Sequence, residues 1–216
     1  MEESTSTLDW WCERAWIKFT CLITAFMTVI IMIYWNKWSI ELKLMGAISA
    51  LLPVHVIEEW IFPGGFNYQY NLFLFNSEQP DRYPMCRLSD MITNLVGIFI
   101  YVIITVIYAI IEDKGGYVNT GLIMGTIVFS ALEVIVHTLF GIKAYFYFRK
   151  YGKTTIYGPG SITAYLGFGV FGIILAYVLV DRIKAKLLHS FDWIIMICQI
   201  IGMFVFGILL PENIIK

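Results

Sequence analysis

The sequence predicts an all-α integral membrane protein with about six transmembrane helices in one polytopic bundle. Three observations carry this. The 216 residues are 59% hydrophobic and only 14% charged, against about 25% charged in a soluble domain. The mean hydropathy is +0.74. The apolar residues also fall into runs of the roughly 20 residues that a helix needs to cross a bilayer. A chain so poor in charge has too little polar surface to face water, and a lipid solvent accounts for it. The net charge of −1 and the lack of a long basic run point away from nucleic acid as a partner.

The spans follow in order. Phe19–Trp35 carries no charge and is flanked by Lys18 and Lys37. Ile40–Phe62 has a clean apolar core over Leu44–Ile57, meets Glu58 and Glu59, and is stopped by Pro63-Gly64-Gly65. Leu88–Ile111 holds one charge, Asp90. Tyr117–Ile142 also holds one, Glu133. Ser161–Val180 and Trp193–Leu210 hold none, and Pro211 ends the last. Each span must be helical, because hydrocarbon offers no partner to a bare amide. The whole chain, 1–216, reads as one membrane domain. Its acidic start, MEESTSTLDWWCERAW, lacks the basic opening and small-residue cleavage site of a signal peptide, so the first apolar run is expected to stay in place. Cys12, Cys21, Cys86 and Cys198 are scattered without a C-x-x-C pair and are expected to be free packing residues.

Two connections are long. The segment 64–87 carries Phe66, Tyr68, Tyr70, Phe73, Phe75 and Tyr83, which suits either an interfacial or re-entrant lid over a cavity or a belt at headgroup level. The segment 143–160 carries Lys143, Arg149, Lys150 and Lys153. With six spans the termini share a face, and that face has nine Lys and Arg against six on the other. The bias predicts cytoplasmic termini, in a prokaryotic plasma membrane.

Charges inside spans are costly and commonly mark function. Here they gather toward the face of the termini. His55, Glu58 and Glu59 lie near the end of the second span, Asp90 and Asn94 near the start of the third, and Glu133 and His137 near the end of the fourth. Drawn to those span ends, both histidines fall about 10 Å inside their helices. His55 and Glu59 are about 40° apart on the helix, and Glu58 lies about 60° to the other side of His55. Glu133 and His137, four apart, share a face.

Three readings fit these residues. In the first, His55, Glu59 and His137 hold one zinc with an open position for water, and Glu58 is the general base. The order resembles that of the H-x-x-E-H metallopeptidases, with Glu in place of the second His. In the second, the carboxylates and histidines bind two irons or manganeses as in carboxylate-bridged bundles. Asp90 is a candidate ligand in either. In the third there is no metal, and the buried acids and histidines form either a proton relay of a transporter or a purely structural polar network. Two imidazoles with carboxylates suit zinc, iron or manganese.

The run Tyr157-Gly158-Pro159-Gly160-Ser161-Ile162-Thr163 is the other feature. Gly160 permits a tight turn, Ser161 is placed to cap the fifth span, and exposed amides at a helix start attract anions. With Arg149 just before it, this end is a candidate site for a lipid phosphate or an oxyanion, with Asn94, Gly160, Ser161 and Arg149 as substrate-binding candidates.

His55-Val-Ile-Glu58-Glu59 resembles the signature of the HXXEE-domain family, multi-pass membrane proteins of uncharacterised function. His137 and the Y-x-P-G-x-x-T run of Tyr157–Thr163 match that family's later motifs in order. The resemblance covers about half the chain, from the second span into the fifth. Where the family is expected to have Asn four residues before the second His, this chain has Glu133, a further possible ligand. The resemblance implies an enzyme whose catalytic residues include Glu58, Tyr157 and Thr163, and it supplies no substrate. The expectation is therefore a zinc-dependent hydrolase or transferase acting on a lipid or membrane-borne substrate. A di-iron or di-manganese oxidase and a proton-coupled transporter are the alternatives.

Overall fold

The apolar runs become helices because only helices satisfy their own backbone in hydrocarbon. In the computed structural model, which describes residues 7–205, 209 and 211, there is no strand among the described residues. A short turn, α1 (Thr7–Trp10), passes through a π-turn (Trp11–Ala15) into α2 (Trp16–Tyr34). Then come α3 (Ile40–Trp60), the short α4 (Phe66–Phe75), α5 (Arg87–Asp113) and α6 (Thr120–Phe148). A helix α7 (Ser161–Lys184), with a π-turn over Ala164–Gly169, and α8 (Ser190–Phe204) complete the order. Five of these, α2, α3, α5, α6 and α7, are long and apolar enough to cross a membrane. The sixth, α8, has 15 described residues, and residues 206–208 and 210 of its expected span lie outside the described ones, as do both chain ends, 1–6 and 212–216.

The core is built by α3, which packs on α2 and α5, and by α6, which packs on α7 and α8. Small residues bring the helices close. A methyl at Gly167 would meet Leu51 of α3 at 2.3 Å, and one at Gly172 would meet Ser130 of α6 at 2.8 Å, the close packing that lipid-embedded helices favour. Trp10, Trp11 and Trp35 are exposed, whereas Trp16 and Trp38 are buried in this core.

Two expectations are corrected. The fourth span does not stop at Ile142: α6 continues through Lys143 to Phe148, followed by a 3₁₀ turn to Tyr151. His137 is therefore about 16 Å, and His55 about 8 Å, inside its helix end, not at equal depth. The extra turns of α6 carry α4, the aromatic segment 66–75. Phe73 packs on Phe140, Tyr147 and Phe148, and Lys143 Nζ donates to the Phe73 carbonyl at 3.0 Å. Asn71, buried, pins the following loop by donating to the Pro80 and Met85 carbonyls and accepting from Met85 N. The long connection thus holds a short helix packed on α6, with Phe66 against the His137 ring.

Candidate metal centre

Four side chains from two helices meet. His55 and Glu59 come from one face of α3, and Glu133 and His137, one turn apart, from α6. The His55 and His137 Nε2 atoms are 3.2 Å apart. From His55 Nε2, Glu59 Oε1 is at 3.4 Å and Glu133 Oε2 at 3.3 Å. From His137 Nε2 the same oxygens are at 3.5 and 3.4 Å. Both histidines and Glu59 are buried, and Glu133 is partly so. His55, Glu133 and His137 offer a set of ligand atoms that could hold a metal ion.

The partners behind the two rings decide which nitrogen faces the centre. His137 Nδ1 lies 2.7 Å from the Pro159 carbonyl. A carbonyl only accepts, so Nδ1 carries the proton and the Nε2 of the neutral ring is a bare lone pair. His55 Nδ1 lies 2.6 Å from Thr163 Oγ1. That hydroxyl has one hydrogen, and it goes to the Glu58 carboxylate 2.6 Å away, so it accepts from His55 Nδ1–H. The Nε2 of a neutral His55 also faces the centre bare. With both rings neutral, four acceptors thus converge. Among the described residues no Lys or Arg pairs with Glu58, Glu59 or Glu133.

The run Tyr157–Thr163 is the support of this centre. Its Pro159 carbonyl orients His137, and its Thr163 hydroxyl orients His55. Gly160 lies flat on the His137 ring: a methyl there would come within 2.2 Å of Cε1, and its φ of +78° is left-handed. One turn along α6, Gly141 makes the same allowance for the Ile156 carbonyl. Only glycine tolerates both the approach and the backbone at Gly160. Such outer partners set ring orientation and ligand basicity.

Glu58 has a different place from the general base expected of it. It points away from the four-atom group and receives Ile162 N at 2.8 Å, Thr163 N at 2.9 Å, the Thr163 hydroxyl and, at 3.2 Å, the Tyr157 hydroxyl. It caps the start of α7 from another helix. The amides at that helix start, expected to hold a lipid phosphate or an oxyanion, are taken by the Glu58 carboxylate. Ser161 is not the cap; its Oγ accepts from Gly158 N at 3.1 Å. Tyr157, in the connection before α7, is a donor to Glu58; burial and the neighbouring carboxylate push its phenol up to about 12, so it keeps its proton at ordinary pH.

The remaining candidates stand apart. Asp90 is buried beside the Trp60 indole and receives Asn94 Nδ2 at 2.7 Å; it is not in the ligand group, and Asn94 is spent on it. Arg149 is exposed and lies over the Phe146 ring, held by nothing in the centre. Two residues that sequence reasoning did not assign to the centre wall it in. Phe66 of α4 lies 5.1 Å from the His137 ring, and Phe168 of α7 lies 5.1 Å from the His55 ring. Only the aromatic richness of 64–87 hinted at the first.

A family model described as a protein of unknown function with HXXEE motif matches residues 46–175. No curated protein and no solved structure matches the chain. The matched stretch takes in His55, Glu58, Glu59, Glu133, His137 and the whole Tyr157–Thr163 support, and the chain belongs to the HXXEE family.

Proposed function

We propose that this protein is an intramembrane metal-dependent enzyme, a hydrolase or transferase for a lipid or other membrane-borne substrate. The observation that carries the reading is the set of four bare acceptors at 3.2–3.5 Å from one another across the five measured edges. Acceptors do not gather in a low-dielectric interior without a cation to hold them. A tetrahedron with metal–ligand bonds of about 2.0–2.1 Å has edges of about 3.3–3.4 Å, so the spacing favours zinc. Charge agrees: two carboxylates and two neutral imidazoles are neutralised by one divalent ion. Iron or manganese would fit the donor types but prefer more oxygen ligands and wider geometry. A bridged pair of metals lacks the carboxylate it would need, because Glu58 is fully engaged by its four donors. A proton relay would instead need a proton on one of these four groups, shared between a ring nitrogen and a carboxylate oxygen.

When bound, such an ion would lower the pKa of a coordinated water and polarise a carbonyl or phosphoryl oxygen. The chain's own part is to hold the rings by Pro159 and Thr163 and to exclude water with Phe66 and Phe168. A centre within the spans suits substrates that arrive laterally in the bilayer. With α8 also crossing, both termini lie on one face, which we take as the cytoplasmic face of a prokaryotic plasma membrane. The test is reconstitution into liposomes of mixed ester-, amide- and phosphate-linked lipids, with products followed by mass spectrometry. A lipid consumed by the wild type, spared after chelation, consumed again after zinc, and spared by His137→Ala is the expected result. No chelator-sensitive conversion in any lipid class contradicts the hydrolase or transferase reading.

A further inference from the structure

We propose that Glu133 is the displaceable ligand of the centre, and that a lipid-borne phosphoryl or carbonyl oxygen takes its place. The inference rests on the metal-centre reading above and adds which ligand leaves. The four side chains are not equally enclosed. His55, Glu59 and His137 are 5%, 7% and 1% exposed, and Glu133 is 23% exposed. The other approaches are walled: Phe66 and the Pro159-Gly160 backbone cover His137, and the fully buried Phe168 backs His55. The side left open is Glu133's.

A closed set of four ligands has no position for a substrate; a catalytic centre of this kind keeps one. Glu133 alone has room to swing out, and its long side chain can leave without moving the helix. In the exchange its Oε2 contact breaks and one to the incoming oxygen forms, with no covalent bond altered. The departing carboxylate removes a negative charge from the centre, which then suits an anionic or strongly dipolar oxygen.

The test uses the full-length protein in detergent, loaded with cobalt, whose visible bands report the ligand set, and azide as the incoming ligand. Wild type, Glu133→Gln and Glu133→Ala should each retain about one cobalt per chain, the variants with affinity lowered no more than about tenfold, whereas Glu59→Ala should lose about a hundredfold. Azide should shift the wild-type bands saturably and act on Glu133→Ala at about tenfold lower concentration, because the position is already open. Monodisperse elution of each variant separates ligand loss from unfolding. Wild-type cobalt bands that azide leaves unmoved, or loss of cobalt from both folded Glu133 variants as complete as from Glu59→Ala, overturn the displaceable ligand while leaving the metal centre standing. Absence of cobalt, and of zinc, from the wild type overturns both.

Discussion

Buried charge sits at both ends of this bundle, and the two clusters are built in opposite ways. At the far end Arg182 of α7 donates Nε and Nη2 to Glu41 of α3 at 3.0 and 2.7 Å, Nη1 to the Val118 carbonyl at 2.8 Å, and lies over the Tyr117 ring. Nearby, Ser39 Oγ donates to Glu112 at 2.7 Å. There Arg182 is matched by Glu41, and Glu112 takes its donors from Ser39. At the other end, with both rings neutral, His55, Glu59, Glu133 and His137 turn acceptors toward acceptors, and the ring donors stand behind them. The count of buried charges does not separate a structural clamp from a site. The balance of donors and acceptors does.

The comparison can be broken from the far end first. Arg182→Ala leaves Glu41 buried without its partner, which should cost about 3–5 kcal/mol of stability and leave metal content per folded chain unchanged. Thermal unfolding and elemental analysis of the same sample check both halves; a loss of metal would mean that the ends are not independent. At the near end, Thr163→Val removes the hydroxyl that orients His55 and should lower metal affinity about 10- to 100-fold, with Thr163→Ser restoring most of it. Equal affinity in Val and wild type would deny the Thr163 hydroxyl its orienting part. Gly160→Ala presses a methyl into the His137 ring and should weaken metal by about tenfold or more, read by competition with a chelator. Arg149→Ala, exposed and outside the centre, should change neither metal affinity nor thermal midpoint measurably, within about 0.5 kcal/mol.

Much of this was legible in the sequence, for a physical reason. A charge inside an apolar span is rare, so His55, Glu59, Glu133 and His137 stood out wherever they fell. What was not legible is rotation. Glu58 and Glu59 are 100° apart, each within reach of the His55 face, and only the packing of α3 against α6 and α7 decides that Glu59 enters the centre and Glu58 caps α7. The cap itself came from a residue about a hundred positions away in sequence, so the local reading fell to Ser161, which has the right chemistry and the wrong partner. The end of α6 was misread because Lys143 looks like a boundary, whereas its ammonium reaches back to the Phe73 carbonyl and the helix runs on beneath α4. The motif Tyr157–Thr163 was visible as a pattern, but its purpose resides largely in backbone groups, the Pro159 carbonyl and the Ile162 and Thr163 amides, which no side-chain pattern displays.

The central claim is that the four converging acceptors are a metal site. Elemental analysis of the wild type purified in detergent, beside His55→Ala and His137→Ala, tests it most directly. The account predicts about one zinc per chain in the wild type and none in either variant. A wild type that holds no metal, even after reconstitution with zinc, iron and manganese, would contradict it.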